Sequence, residues 1–307
     1  MPLFAVKKTL PSPPNKYAKN FKENLEHFKN FLISSSIFIS INGALKVLFA
    51  SLLLGIFAPN LILASFFSVY SIYSLNKLTD MKEDAINNPD RVKVIAGRER
   101  IFATSVFSSF VITFILGFMH DFCCVFILFF PLFCGIIYSV RILPSLPRLK
   151  DITGVKNLII SISWGVGSSL LPATCLQERQ PLQVAFLFYF FATKSFVNSL
   201  LFDVRDIEGD RINGVRTIPV VIGKEKAKKL MLSLNSTLLI WLILSFYLGF
   251  FRKYLPVLAF SIAYGYWYIL HFSRKREIGK SLDLLVDGEW MPTVLLALLF
   301  ACLVASP

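Results

Sequence analysis

Charge is scarce in this chain. Only 17% of its 307 residues are Asp, Glu, Lys or Arg, against 55% hydrophobic, and the mean hydropathy is +0.63. A soluble domain has more polar surface than this balance supplies, so the composition is that of a polytopic membrane protein. Histidine is rarer still. His27, His120 and His271 are scattered along the chain, which gives no support to a histidine-based metal site. Of the five cysteines, Cys123, Cys124, Cys134 and Cys302 lie within apolar runs and Cys175 near the end of one. None has zinc-ligand spacing, which argues against a disulfide framework and a structural zinc alike. The N-terminus lacks the early apolar core of a cleaved signal peptide. Residues 1 to about 28 are polar and basic and read as a cytoplasmic tail, ahead of a single transmembrane domain over 29–307. Near the end of the tail, Phe21, Leu25, Phe28 and Leu32 share one helical face, a spacing suited to a helix lying in the membrane interface.

What the chain has in quantity is long apolar sequence. Nine segments, near 30–57, 61–78, 101–119, 122–140, 155–175, 182–201, 229–250, 254–272 and 287–305, approach the roughly 20 residues that cross a bilayer. The first contains Asn42-Gly43 and Lys46, where a kink or tilt is expected. With nine crossings, alternate gaps place 28 of the 32 Lys and Arg on one side, Lys194 among them. Arg179, Arg252 and Lys253 fall on the other, and Lys46 within a span. The positive-inside rule therefore puts the N-terminus on the cytoplasmic side of the cell membrane. It also explains the net charge of +13 without a nucleic-acid partner, since the basic residues sit between spans and not on a soluble face.

Two acidic stretches follow apolar segments on that cytoplasmic side. In Asp203-Val204-Arg205-Asp206-Ile207-Glu208-Gly209-Asp210, the carboxylates at i, i+3 and i+7 would share one helical face. Such a cluster repels itself unless cations sit between its members, and hard oxygen donors on a short arc suit Mg²⁺ shared with a phosphate. Upstream, Asn76 to Asp84 has a similar pattern, with Asp80 falling on Asp206, Asp84 on Asp210 and Lys77 on Asp203, an offset of 126 residues. We expect an all-α protein of nine transmembrane helices in two related four-helix halves, about 30–140 and 155–272, plus one, around a central cavity. Facing carboxylate clusters holding Mg²⁺ would grip a diphosphate and stabilise the charge it gains on leaving carbon. Arg91, Lys93, Arg141, Arg148, Lys150, Arg205 and Arg211 lie near the same ends, where either phosphate binding or membrane topology would place them.

The acidic stretches, with Tyr138-Ser139 and Pro147-Arg148-Leu149-Lys150, resemble the UbiA superfamily of intramembrane prenyltransferases over roughly residues 30 to 300. The strongest element runs from Asp203 through Gly214, Thr217 and Pro219 to Gly223; Pro89-Asp90-Arg91 and Gly97-Arg98 are also similar to the family pattern. The resemblance implies that Asn76, Asp80, Asp84, Asp203, Asp206 and Asp210 hold Mg²⁺ and the diphosphate, with Arg91, Arg148 and Lys150 as further diphosphate contacts. Tyr138 would stand near the allylic carbon. Lys77 departs from the pattern, because many members carry Asp there; it would point into solvent or reach a phosphate oxygen.

The implied reaction is Mg²⁺-dependent transfer of a prenyl group from an isoprenyl diphosphate to a lipophilic acceptor, by ionisation to a carbocation that an electron-rich acceptor attacks. Aromatic side chains would stabilise that cation and keep water away. The acceptor expected first is an aromatic quinone precursor, with digeranylgeranylglyceryl phosphate synthesis as the alternative. A transporter with carboxylate ion sites is the rival from another class, but its charges belong near mid-bilayer on broken helices. A CDP-alcohol phosphotransferase would need a longer Gly- and Ala-containing motif that the chain lacks. We further expect the 274–290 loop, with Gly279 and Gly288 as hinges, to cover the site, and the prenyl chain to reach membrane lipid through a lateral opening.

Overall fold

The computed structural model describes residues 16–79, 81, 89–139, 149, 152–274 and 281–305, and among these every regular element is helical. In lipid no water satisfies the backbone, so an apolar segment must close its own hydrogen bonds, as a helix does. The elements are α1 (Lys16–Ser34), α2 (Ile37–Leu54), α3 (Pro59–Thr79), α4 (Pro89–Ile95), α5 (Glu99–His120), α6 (Phe122–Ser139) and α7 (Val155–Ala173). They continue with α8 (Pro181–Ile212), α9 (Ile218–Ile222), α10 (Lys224–Tyr247), α11 (Leu255–Arg274), α12 (Ser281–Val286) and α13 (Trp290–Ala305). α1 leaves Leu25 and Phe28 exposed, in keeping with an interfacial helix.

Seven helical stretches among the described residues are long and apolar enough to cross a membrane: α2, α3, α5, α8, α10, α11 begun at Arg252, and 281–303 through α12 and α13. The protein is an integral membrane protein. Of the nine expected crossings, the other two fall on helices that miss these criteria. The apolar part of α6 is shorter, Phe122–Ile137. α7 is diluted by the polar face it buries against its neighbours, which carries Asn157, Ser161, Ser163, Ser168 and Ser169.

In contact order, α2, α3, α5, α6, α7, α8, α10, α11 and α13 follow one another around a closed circuit, α13 returning to α2, while α2 and α7 also touch across it. Lipid is as apolar as leucine, so the bundle is held by close packing and internal hydrogen bonds more than by exclusion from water. Aromatic side chains do much of this on the α8 side, where Phe190 stacks on Trp241 with ring centroids 5.0 Å apart and Phe191 lies 5.2 Å from Trp290. α2 and α3 come close because Gly43 has no side chain: a Cβ there would stand 2.7 Å from Val69 Cγ2.

The chain breaks before α2 at Ser36, which adopts φ 69°, and α2 then runs helical through Asn42-Gly43, where Gly43 serves packing. One expectation changes here. Lys194 is not in a cytoplasmic gap: it lies within α8, fully buried, with its ammonium 2.7 Å from Glu289 Oε2.

Candidate active site

A cavity of about 400 Å³ opens where the C-terminal end of α3 meets α8 and the N-terminal parts of α2 and α7, with α12 forming another wall. α8 explains the position of the acidic stretch. Its 32 residues reach about 48 Å at 1.5 Å per residue, well beyond a hydrocarbon layer of about 30 Å, so its last turns carry charge without burying it in lipid. The chain then turns at Gly214, whose φ of 70° favours glycine, and α9 folds back onto α8.

The three aspartates of α8 lie on consecutive turns but in different surroundings. Asp203 is buried, with Lys156 donating to Oδ1 at 2.9 Å and Asn157 to Oδ2 at 2.7 Å. Both of its oxygens are engaged by α7. Asp206 lines the cavity, and Arg205 donates to its two oxygens at 2.8 and 3.0 Å. The same guanidinium reaches Asp283 of α12 at 3.3 Å. Asp210 is half-buried beside Thr217, and among the described residues its Oδ2 meets no donor in hydrogen-bonding geometry.

From α3, Asn76 and Lys77 line the same cavity, so the described part of the first stretch does face the second. Lys77 is largely buried and donates to the carbonyls of Ile33 and Ser34 at 3.2 and 2.9 Å. These are among the last carbonyls of α1, which have no partner within their own helix. Lys77 therefore does not point into solvent; it lines the cavity and also caps the end of α1, tying α1 to α3. Asp80, Asp84, Arg148 and Lys150 lie outside the described residues, as do the side chains of Arg91 in α4 and Tyr138 in α6.

For a divalent cation, the described donors are an exposed carboxylate on Asp206, the partnerless Asp210 Oδ2 and the Asn76 amide. Among the described residues no three His, Cys, Asp or Glu side chains are grouped as metal ligands. The donors that are present are hard oxygens of the kind Mg²⁺ takes, and Asp210 Oδ2 is a buried acceptor that a cation would satisfy.

Deeper in the cavity lies a set of polar residues outside the sequence-predicted site: Asn42 and Lys46 of α2, Ser195 and Asn198 of α8, and Asp287 after α12. Lys46 is buried, donates to Ser195 Oγ at 3.3 Å and sits 3.6 Å above the centre of the Trp164 ring. A lysine within an apolar run was the available signal. Asp287 falls in the 274–290 stretch expected to cover the site. Residues 281–289 instead form α12 and a 3₁₀ turn, pinned by Leu282 and Val286, which are fully buried against α8, α10 and α11. Gly288 packs on Phe38, where a Cβ would stand 3.1 Å from Cζ. This part of the expected lid is a wall; Gly279 lies outside the described residues.

The sequence profile of the UbiA prenyltransferase family matches residues 31–291. A digeranylgeranylglyceryl phosphate synthase of Sulfolobus acidocaldarius is 26% identical over 207 residues, covering 65% of this chain and 70% of that protein. One from Natronomonas pharaonis is 26% identical over 159 residues, 50% of this chain and 53% of that protein. Among solved structures, a UbiA homologue from Archaeoglobus fulgidus bound to GPP and Mg²⁺ superposes with a TM-score of 0.67 at 17% identity, over 91% of this chain and all of the other. A structure of a digeranylgeranylglyceryl phosphate synthase gives 0.57 at 20% identity, over 89% of this chain and 97% of the other.

Proposed function

The chain belongs to the UbiA prenyltransferase family, and on that premise we propose that it transfers a prenyl group from a long allylic diphosphate to a glyceryl phosphate ether, as in ether-lipid synthesis. The observation that carries this reading is the single cavity that gathers Asn76, Lys77, Lys156, Arg205 and Asp206 at a helix-end mouth and continues between apolar helices. Curated relatives named digeranylgeranylglyceryl phosphate synthase favour this acceptor over the aromatic quinone precursor expected from the sequence. α8 runs unbroken past the carboxylates, unlike the interrupted helices of a transporter site.

Asn76, Asp206 and Asp210 would hold Mg²⁺, together with Asp80 and Asp84. Bound there, the ion would neutralise the diphosphate and the charge it gains as the allylic C–O bond breaks. Lys156 and Arg205 add positive charge at the mouth and keep Asp203 and Asp206 oriented through their ion pairs. Tyr73, Trp164 and Phe202 line the walls and keep water from the cation while the acceptor closes on it. We also hold the mouth to be cytoplasmic, as the distribution of Lys and Arg indicates, and the two four-helix halves to be related. The isoprenoid tail would run from the cavity sideways into lipid, since each CH₂ kept from water contributes about 0.8 kcal/mol.

The test is direct. Protein in vesicles receives geranylgeranyl diphosphate, Mg²⁺ and either geranylgeranylglyceryl phosphate or a hydroxybenzoate, and products are identified by mass. We expect a product of the glyceryl phosphate only, abolished by chelator. A prenylated hydroxybenzoate alone would reinstate the quinone reading, and turnover undiminished by chelator would refute the metal role.

A further inference from the structure

The deep wall of the cavity holds a carboxylate that the diphosphate chemistry does not use. α12 and the 3₁₀ turn after it run alongside α8, so that Asp283 meets Arg205 and Asp287 meets Asn198, whose Nδ2 donates to Asp287 Oδ1 at 3.3 Å. Asn198 and Arg205 are seven residues apart, which sets Asp287 about 10 Å deeper than the mouth. Asp203, Asp206 and Asp283 are each paired with a cation, Lys156 or Arg205. Asp287 lines the cavity and forms no ion pair among the described residues.

A second observation points to a ligand at this wall. Asn42 also lines the cavity; it is 1% exposed, and its Oδ1 has no hydrogen-bond partner among the described residues, its Nδ2 being committed to Phe38 O at 2.9 Å. One turn further along α2, the ammonium of Lys46 stands in the same space. Two oxygen acceptors and one N–H donor therefore face the deep cavity. A ligand that satisfies them must itself donate and accept a hydrogen bond, as an alcohol does and a hydrocarbon tail does not.

We propose that this wall binds the nucleophilic hydroxyl of the acceptor and that Asp287 is the base that takes its proton. The inference rests on the reaction proposed above. The allylic C–O bond breaks and its electron pair leaves with the diphosphate. A lone pair of the acceptor oxygen forms the new C–O bond, and the hydroxyl proton passes to Asp287 and later to solvent through the mouth. Lys46 orients the oxygen by donating to it, and the single hydroxyl hydrogen is directed to Asp287, with Asn42 Oδ1 as a second acceptor sharing it before transfer. The charged groups around Asp287 are Asp283 on α12, Lys46 on α2 and Arg205 on α8, with the Lys194–Glu289 pair close by.

The experiment uses the full chain in vesicles with Mg²⁺, geranylgeranyl diphosphate and geranylgeranylglyceryl phosphate, read by single-turnover transfer across a pH series and by donor binding. Asp287→Asn should bind the donor within about twofold of wild type and transfer about 10²- to 10³-fold more slowly. It should also lose the fall in rate that wild type shows as acid protonates the base. Asp287→Glu should recover at least about a tenth of the rate, which a purely structural role would not predict. An Asn variant that transfers within about fivefold of wild type, while Asp206→Asn does not, overturns the base and leaves the proposed reaction standing. If wild type transfers nothing to this acceptor, the proposed reaction fails and the base assignment with it. Should Asp287→Asn lose donor binding through misfolding, the wild-type profile decides: a rate flat from about pH 5 to about pH 8 overturns the proposal.

Discussion

Lys194→Met should destabilise the bundle strongly, and its size can be worked from the surroundings. The ammonium is fully buried and contacts Glu289 Oε2 at 2.7 Å, Ser261 O at 3.0 Å and Tyr268 Oη at 3.4 Å. Removing it strands a carboxylate whose side chain is 2% exposed, and breaking one side of a buried pair costs about 3–5 kcal/mol. Lys46 lies within electrostatic reach of Glu289 and offsets part of the loss, so about 3 kcal/mol is the better figure. Glu289→Leu alone should cost a similar amount, because it leaves the ammonium unpaired. Lys194→Met with Glu289→Leu should cost less than the two singles together by about 2 kcal/mol or more, since no charge is then left stranded. The assay is unfolding of purified protein in detergent micelles, followed by Trp fluorescence as denaturant rises, for wild type, both singles and the double. Additive losses would show that the pair is not coupled and would refute this account.

Three further outcomes follow from the packing and the site. Gly43→Ala places a methyl 2.7 Å from Val69 Cγ2 and should cost about 1–3 kcal/mol in the same unfolding assay, recovered largely by adding Val69→Ala. Lys77→Met removes two donors from the end of α1, and limited proteolysis should then cut within 16–34 faster; an unchanged cleavage rate would dismiss the cap. Asp206→Asn should leave the unfolding midpoint nearly unchanged while lowering Mg²⁺-dependent turnover by about 10²- to 10³-fold, and a variant of normal activity would remove Asp206 from the metal site.

The sequence alone determined the class and the all-helical, membrane-spanning build, and it set which acidic residues share a face at the end of α8. A chain this apolar must lie in a membrane, and apolar runs of span length must be helical there, because no other open structure satisfies its own backbone. The acidic stretch of α8 was equally legible, since spacing along a helix sets which residues share a face. Only the tertiary structure decided what those residues meet. Asp203 is ion-paired by Lys156 and hydrogen-bonded by Asn157, both from α7 and forty-odd positions away in the chain, and no local pattern encodes those partners. Lys77 turned out to cap α1, and Lys194, counted as a loop residue, to be buried against Glu289. The 274–290 stretch has the look of a polar loop over the site, yet Leu282 and Val286 anchor its second half in the core. Periodicity describes one element at a time. A buried charge is stable only through the partner brought to it by another element, and that pairing exists only once the helices have closed into their circuit.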